Sequence, residues 1–314
     1  MSASSEAKSQ AFAQKVSTIL NYGALNLALG LGYRMGLLDV FDQMNESATI
    51  RGIAQQAGLS ERYIKEWLGV MVCGGIVELS TAEDGQDLFF LPPEHAELIT
   101  RRSGQANMGV YTQEIPLLTQ SAYDAVAHGF STGDGVEYGH YPEFQAFMAQ
   151  LAEAKHRQTL ISSFLPSVAQ GNIQSALKAG IRVCDVGCGQ GTAAVLMAQA
   201  FPASSFVGLD MDANVIDVAQ EGANRLGLSN LRFIHQDAAF IHNDAQWQEQ
   251  FEYVTAFDAI HDQTHPRQAL QGIWSMLKPG GILSMVDIAA SSRLSENMNH
   301  PMGPFLYTVS LMHC

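Results

Sequence analysis

The sequence predicts an α/β fold in which a doubly wound parallel sheet follows an all-α, winged-helix domain. Apolar, β-branched strands alternate with helical segments from Ile181 onward, and a glycine-rich loop follows the first of these strands. A helix-turn-helix pattern followed by two short strands, within residues 49–91, predicts the winged helix. We expect a helical and winged-helix dimerisation domain over 1–100, a helical linker and pocket wall over 101–180, and an α/β domain over 181–314.

Composition restricts the class of protein. The chain has 314 residues, 47% of them hydrophobic, and its 17 basic and 31 acidic residues give a formal net charge of −14. This acidic balance makes nucleic acid and anionic lipid unlikely partners. The N-terminus is polar and no apolar run approaches the roughly 18 residues of a membrane span, so we expect a cytoplasmic protein without a membrane partner. Four cysteines without CxxC spacing predict reduced thiols, no zinc site and no disulfide framework.

The N-terminal hundred residues are expected to form helices and a winged helix. Residues 11–45 carry leucine, alanine and glycine at helical spacing with few charges on any face, so either the rest of this domain or a partner subunit must cover them. Ser60 is the expected cap of the second helix of the helix-turn-helix, and strands at 76–79 and 88–91 complete a hairpin. The charges of this helix cancel, which favours a dimerising role over DNA binding. The charged residues are Glu61, Arg62, Lys65 and Glu66.

A long glycine-rich and tyrosine-rich segment, HGFSTGDGVEYGHYPEF, spans residues 128–144. An interdomain linker and a wall of a substrate pocket are both open interpretations. The aromatic content favours the pocket wall, because linkers are usually polar. We therefore expect Tyr138 and Tyr141 to contact a substrate, and an aromatic face there could favour a cation.

The strand that begins at Ile181 ends in the pattern D-x-G-x-G-x-G, which starts at Asp185. Alternating glycines permit positive φ and let the polar groups of a ligand approach bare backbone amides at the start of the next helix, 192–201. The dinucleotide fingerprint is instead G-x-G-x-x-G and lacks the preceding acid. Asp185 suits a ligand that carries an amino group or that orders water beside the loop.

The next two strands also end in acids. Asp210 ends SFVGLD and can accept hydrogen bonds from both hydroxyls of a ribose. Asp237 ends LRFIHQD, precedes Ala238, and can accept from the exocyclic amine of adenine. For each acid the alternative is a helix N-cap or a solvated side chain. Taken together, the acids predict a site for an adenosine that carries an amino-acid tail.

Residues 181–288 resemble the class I S-adenosylmethionine-dependent methyltransferases in the motifs DVGCGQG, Asp210, Gln236-Asp237-Ala238 and LKPGG. With a winged helix in front, the chain is similar to small-molecule O-methyltransferases and to bacterial homologues that carry FDAIHD on the fourth strand. The resemblance implies a Rossmann-like sheet, S-adenosylmethionine as cofactor, a small-molecule substrate and a homodimer formed through the N-terminal helices. The cofactor contacts that it implies are Asp185, Gly187, Cys188, Gly189, Gly191, Asp210, Met211, Asp237, Ala238 and Phe257.

The reacting end is expected in TAFDAIHDQTHP, after the fourth strand. By resemblance, His261 and Asp262 form the catalytic pair with His261 as general base, although Gln263 stands where that pattern has Trp. An imidazole, with an ordinary pKa of about 6.5, suits proton removal near neutral pH. The alternative is that His261 only caps the next helix or contacts the cofactor. His265 could add a metal ligand, but residues at i, i+1 and i+4 on a turn need not converge, and we expect no metal.

The sheet of this family has seven strands, of which the last two form an antiparallel hairpin. After the expected strand 282–288 the sequence holds a polar stretch and one apolar helix, so we expect a C-terminally truncated chain whose sheet lacks this pair. Three functions stay open. The first is methyl transfer from S-adenosylmethionine to an oxygen or nitrogen of a small molecule. The second is a cofactor-sensing regulator that binds DNA, and the third is a non-catalytic homologue that modulates a full-length partner.

Overall fold

The computed structural model describes residues 3–313, and it describes their side chains from residue 5 onward except at 105, 138 and 243. These residues cluster into two compact units. Residues up to 144, together with 308–313, form the first unit, and residues 145–307 form the second. The division at residues 100 and 180 that the sequence suggested stays a prediction. Within the described range, every helix is too short or too polar to cross a membrane.

The first unit is mostly helical and contains the winged helix. Its antiparallel hairpin pairs Glu78 with Phe90. The first strand of the hairpin begins two residues later than predicted, and the second begins one residue earlier. Ser60 occupies the predicted N-cap position of the second helix of the helix-turn-helix, but its side chain makes no capping hydrogen bond there; Gly74 closes that helix. Its helices and strands are α1 (Ala3–Arg34), α2 (Leu37–Met44), α3 (Ile50–Ala57), α4 (Glu61–Cys73), β1 (Glu78–Thr81), β2 (Asp87–Phe90), α5 (Pro93–Ile99) and α6 (Glu114–Thr132).

The first unit covers only the C-terminal part of helix α1. There Tyr33 is buried in the core of the unit, and the indole nitrogen of Trp67 donates to the carbonyl of Ala28 at 2.9 Å. The N-terminal part of the same helix leaves large apolar side chains exposed, so the helix is covered neither fully nor evenly by its own unit. These exposed side chains are Phe12, Val16, Ile19, Leu20 and Tyr22.

The segment 128–144 is shorter as a loop than predicted, because α6 continues to Thr132 and the next helix begins at Pro142. Tyr141 lies in the interior of the first unit, with 1% of its surface exposed, and its hydroxyl donates to the carbonyl of Met312 at 2.6 Å. This hydrogen bond joins the segment to the last described helix.

The second unit contains one five-stranded sheet in the order β5-β4-β3-β6-β7, with every neighbouring pair parallel. This arrangement confirms the predicted doubly wound sheet, and the strand order reverses at β3, where such folds bind ligands. The remaining elements in chain order are α7 (Pro142–Thr159), α8 (Leu165–Ser167), α9 (Asn172–Ala179), β3 (Arg182–Val186), α10 (Thr192–Ala200), β4 (Ser205–Asp210), α11 (Ala213–Arg225), β5 (Leu231–His235), β6 (Phe251–Phe257), α12 (Pro266–Met276), β7 (Leu277–Val286) and α13 (Gly303–His313).

Both faces of the sheet are packed. Val183 and Tyr253 face one apolar core, and their neighbours Cys184 and Val254 face the other. Central strands that are buried on both faces hold their carboxyl ends in fixed positions along one edge of the sheet. Among the described residues, β7 is the outermost strand on its side.

Two stretches of the second unit differ from the sequence expectation. The sequence predicts a short helix near 244–250, but the structure has only turns there, after a 3-10 turn at Ala238–Asn243. The sequence also predicts that LKPGG is the loop that closes the helix 265–277. Helix α12 does end there, at Met276, but LKPGG already belongs to β7, which bulges before it resumes pairing at Ile282. Lys278 forms an ion pair with Glu252 on the neighbouring strand, which stabilises this bulged segment.

Candidate functional site

The loop after β3 has the backbone that its glycines predicted. Gly187, Gly189 and Gly191 have φ angles of 67°, 51° and 79°, all in the left-handed region. A Cβ atom on Gly187 would lie 2.4 Å from the Cβ of Ala259, in the loop after β6, whereas a Cβ on Gly189 would meet nothing within 4 Å. Gly187 therefore lets the two loops touch, and Gly189 faces open space.

Asp210 braces this loop from the end of β4. Its Oδ2 accepts a hydrogen bond from the amide of Gly189 at 2.9 Å, and its Oδ1 accepts from the amide of Asp212 at 3.0 Å. Burial raises the pKa of this carboxyl above its ordinary value, and the two amide donors oppose that shift. Each oxygen keeps a second lone pair, which is what recognition of a pair of hydroxyls needs.

Asp185 lies beneath the loop with 3% of its surface exposed. The hydroxyl of Thr255 donates to its Oδ1 at 2.6 Å. Burial raises the pKa of Asp185 to about 7; the hydrogen bond from Thr255 opposes this shift, and the nearby Asp210 adds to it. A cation bound close by would favour the ionised form, as the amino-group interpretation of this residue requires.

Asp237 has the helix-cap role that the sequence gave as the alternative to ligand binding. Its Oδ1 accepts from the amide of Ala239 at 2.8 Å and caps the 3-10 turn that follows β5. The described residues give its Oδ2 no hydrogen-bond donor, so this oxygen is available to a ligand. An open cleft runs along these strand ends. Its lining residues are Val186, Gly187, Leu209, Asp210, Met211, Gln236, Ala238 and Gln263.

Half of this lining was predicted from the sequence. Gly187, Asp210, Met211 and Ala238 were expected cofactor contacts, whereas the two glutamines and the two apolar strand ends were not. Gln263 had a usable signal, because it takes the position where the related pattern has Trp. The thiol of Cys188 lies in the same loop, and burial raises its pKa well above the ordinary value, with nearby acids adding to the shift.

A histidine with two carboxylates forms the other half of the site, after β6 and β7. The Nδ1 atom of His261 lies 2.7 Å from Oδ1 of Asp287, and its Nε2 atom lies 3.4 Å from Oδ1 of Asp262. The imidazole is about one quarter exposed, at 26%. Sequence reasoning missed Asp287, although an acid directly after a buried strand is the same signal that identified Asp185, Asp210 and Asp237.

Phe257 ends β6 and is held by two rings of the same unit. The imidazole of His156 packs edge-on against it with centroids 4.8 Å apart, and the ring of Phe164 does so at 5.4 Å. Tyr141 is buried in the first unit, and the side chain of Tyr138 lies outside the described part of the chain. The substrate contacts assigned to these two tyrosines stay predictions.

The described cysteines are unpaired, and the described side chains form no metal cluster. Cys73, Cys184 and Cys188 are free thiols, and Cys314 lies outside the described residues. No group of three His, Cys, Asp or Glu side chains gathers as a metal site would require, in the part of the chain whose side chains are described. His265 is the N-cap of α12.

Two family models match the chain. Residues 177–303 match the model described as "Methyltransferase domain", and residues 23–101 match "Rv2258c-like winged HTH domain". The chain is 33% identical over 122 residues to the tRNA 5-carboxymethoxyuridine methyltransferase of Escherichia coli (strain K12). It is 31% identical over 117 residues to the phthiotriol/phenolphthiotriol dimycocerosates methyltransferase of Mycobacterium leprae (strain TN). These alignments cover 38% and 37% of this chain and 44% and 41% of the relatives, so the chain spans less than half the length of the curated relatives it matches.

Solved methyltransferase structures share the fold along most of the chain. Human N-acetylserotonin methyltransferase in complex with SAM superposes with a TM-score of 0.61 at 17% identity, covering 97% of this chain and 86% of that one. The mitomycin 7-O-methyltransferase MmcR superposes with a TM-score of 0.62 at 15% identity, covering 98% and 87%. At this level of identity the likeness shows the fold.

The sheet, its glycine loop and the acids at its strand ends define a Rossmann-like methyltransferase fold. The chain carries a methyltransferase domain preceded by a winged helix-turn-helix domain.

Proposed function

We propose that the protein transfers a methyl group from S-adenosylmethionine to an oxygen or nitrogen of a small molecule, with His261 as general base. The observation that carries the proposal is the contact between Nδ1 of His261 and Asp287, at the same sheet edge as the glycine loop. The contact does not have hydrogen-bond geometry among the described residues. A carboxylate 2.7 Å from Nδ1 nevertheless favours, by its charge, the tautomer that keeps its proton there, so the other nitrogen, Nε2, has a lone pair for the acceptor's proton.

The strand-end acids fit the parts of the cofactor, which supplies an activated methyl group on a sulfonium. Asp210 would hold the ribose hydroxyls, Asp237 the adenine amine and Asp185 the amino group of the methionine part. The SAM named with the human structural neighbour supports this assignment. The main tasks of the protein are then to position the acceptor in line with the methyl group and to remove one proton.

Calorimetry and a transfer assay test this proposal together. The purified chain is titrated with S-adenosylhomocysteine and then incubated with S-adenosylmethionine and a panel of phenols, catechols and amines, with product mass read by mass spectrometry. We expect binding together with a gain of one methyl group on at least one acceptor class. Binding without transfer to any acceptor would favour a sensing or modulating role, and absence of binding would leave a scaffold.

We further propose a homodimer formed through α1. Among the exposed apolar side chains of this helix, Val16 lies four residues after Phe12, and Ile19 and Leu20 lie three and four residues after Val16, so these four share one face and form a stripe. An exposed apolar stripe of this length is typical of an interface between protein chains. The combined change Ile19→Asp and Leu20→Asp should convert the dimer to a monomer in light scattering, whereas Ser17→Asp on the same exposed helix should not. A wild-type monomer would contradict the proposal.

No second function is favoured by the winged helix. The basic residues of the helix-turn-helix are largely paired with acids, since Arg62 contacts Glu66 and Arg51 contacts Glu61 at 3.2 Å. A face that reads DNA needs unpaired positive charge. We therefore assign this domain a dimerising role. A salt-dependent gel shift with duplex DNA would restore the regulator hypothesis.

A further inference from the structure

Asp258, the first residue after β6, has an unusual backbone. Its φ angle is 49°, in the left-handed region that a non-glycine residue seldom occupies. Its amide donates to the carbonyl of Val286 at 2.8 Å, which fixes it at the sheet edge between the glycine loop and the histidine. Aspartate enters this region more readily than most residues, and such backbone positions concentrate at functional sites, so the contacts of the carboxylate are of functional interest.

The Asp258 carboxylate contacts a lysine from a distant helix. The Nζ atom of Lys155, on α7, lies 3.3 Å from Oδ2 of Asp258. Both side chains are about half exposed, at 55% and 45%. An ion pair this exposed contributes roughly 0–1 kcal/mol, so a competing anion could displace it at little cost.

The neighbouring residue, His156, is a half-buried imidazole at the same place. Burial lowers its pKa to about 4, with Lys155 adding to the shift and Asp258 opposing it, so the ring is neutral near pH 7. Neither ring nitrogen has a hydrogen-bond partner among the described residues, although the ring is fixed against Phe257. A neutral imidazole of this kind can donate one hydrogen bond to an anion.

The charge of the surrounding site favours an anion at this position. Asp210 ends β4, Asp287 directly follows β7 and Asp262 lies in the loop after β6, and together they would repel the carboxylate of any amino-acid-like ligand. A ligand that carries both an ammonium and a carboxylate therefore needs a cation for its carboxylate. Lys155 is a cation that contacts the loop after β6.

We propose that Lys155 and His156 form a carboxylate-binding subsite, in which a ligand carboxylate replaces Asp258 at the Lys155 ammonium. The inference rests on the proposed function. The carboxylate has two sources: the methionine part of the cofactor, and a carboxylate-bearing methyl acceptor. In both cases Asp258 occupies the cation until the ligand arrives and lowers the affinity by competition.

Competition and simple bracing make opposite predictions. If Asp258 competes with the ligand, Lys155→Met weakens carboxylate binding and Asp258→Asn strengthens it. If the ion pair only holds α7 against β6, both changes act in the same direction. Asn tolerates the left-handed region as well as Asp does, so Asp258→Asn should keep the fold.

Calorimetry with two analogues tests the cofactor as the source. We compare S-adenosylhomocysteine with its decarboxylated form, which lacks only the carboxylate. The wild type should prefer the carboxylate form by about tenfold, Lys155→Met should abolish this preference, and Asp258→Asn should increase it severalfold. Arg157→Met, which removes an exposed cation of α7 paired with Glu153, is the matched control and should match the wild type.

Benzoate tests the acceptor as the source. Saturation-transfer NMR with the wild type saturated in S-adenosylhomocysteine should then show benzoate binding that Lys155→Met abolishes, with no discrimination between the two cofactor analogues. Equal behaviour of the wild type and Lys155→Met in both assays would refute the subsite. Weaker binding of every ligand by both Lys155→Met and Asp258→Asn would refute it as well. In either case the proposed function stands. A wild type that binds neither analogue refutes the proposed function itself.

Discussion

The two halves of the site, both within the second unit, are held in different ways. In the cofactor half, backbone amides fix two of the three acids, Asp210 and Asp237, and only Asp185 is held by a side chain, the hydroxyl of Thr255. In the reacting half, side chains from separate elements hold one another, as Asp287 does His261 and Lys155 does Asp258. Backbone contacts survive most substitutions, whereas a contact between two side chains is lost with either partner. The reacting half should therefore be more sensitive to single changes.

The largest effect is expected from His261→Ala. Removing a general base costs about 10²- to 10⁴-fold in turnover, while affinity for S-adenosylhomocysteine should stay nearly unchanged because the cofactor half is intact. Single-turnover rates and calorimetry measure the two quantities separately. His265→Ala, which changes the helix cap nearby, is the control and should retain turnover. Unchanged turnover in His261→Ala would remove the base assignment.

Asp287→Asn should lower turnover by about 10- to 100-fold, with little change in KM, because the amide can present its NH₂ to Nδ1 and favour the wrong tautomer of His261. Asp287→Glu should restore part of the rate, since it returns the carboxylate. A purely structural role would instead lower thermal stability in both variants and rescue neither.

Gly187→Ala tests the contact between the two halves. The new Cβ would lie 2.4 Å from the Cβ of Ala259 on a backbone with φ of 67°, so we expect a loss of roughly 2–3 kcal/mol in the free energy of unfolding. Gly189→Ala meets open space and should lose only about 1 kcal/mol, from backbone strain alone. Urea denaturation measures both values. Adding Ala259→Gly to Gly187→Ala should recover the steric part, and no recovery would show that the loops do not press on each other.

The smallest effect is expected from pH acting on Asp185. Its pKa in the free protein is raised from 3.8 to about 7 by burial, and the ammonium of a bound cofactor would lower it again. The cofactor therefore binds the ionised form, and affinity for S-adenosylhomocysteine should fall as the pH drops below 7, by at most about tenfold per pH unit. Calorimetry between pH 5.5 and 8 measures this slope. An affinity independent of pH would place the amino group elsewhere.

The raised pKa of Asp185 also makes the stability of the unbound protein depend on pH, but in the opposite direction to cofactor affinity. Because the folded pKa lies above the unfolded one, the folded state holds a proton that the unfolded chain has released between about pH 4 and pH 7. The free energy of unfolding should therefore fall as the pH rises through this window. Asp185→Asn should remove this dependence and stabilise the unbound protein near pH 8 while weakening cofactor binding. Thr255→Val keeps the charge and removes its hydrogen-bond donor, so it should strengthen the dependence.

Several features of the cofactor half could be predicted because they are local. Spacing alone placed Gly187, Gly189 and Gly191 after a buried strand, and their positive φ angles follow from the turn that such a loop makes. The parallel sheet was predictable because strands and helices alternate along the chain. The helix end at LKPGG was predicted correctly, but the segment was expected to be a loop and is the start of β7, because the strand pairing and the contact of Lys278 with Glu252 depend on a neighbouring strand.

The sequence by itself determined the class of fold, the glycine loop and the acids that end the strands. Only the tertiary structure decided that Asp287 lies against His261, that Lys155 contacts Asp258 and that Tyr141 is buried in the first unit. The physical reason is the distance along the chain between the residues that interact. Strand ends and turns follow from neighbouring residues, whereas a contact between two side chains on separate elements depends on how those elements pack.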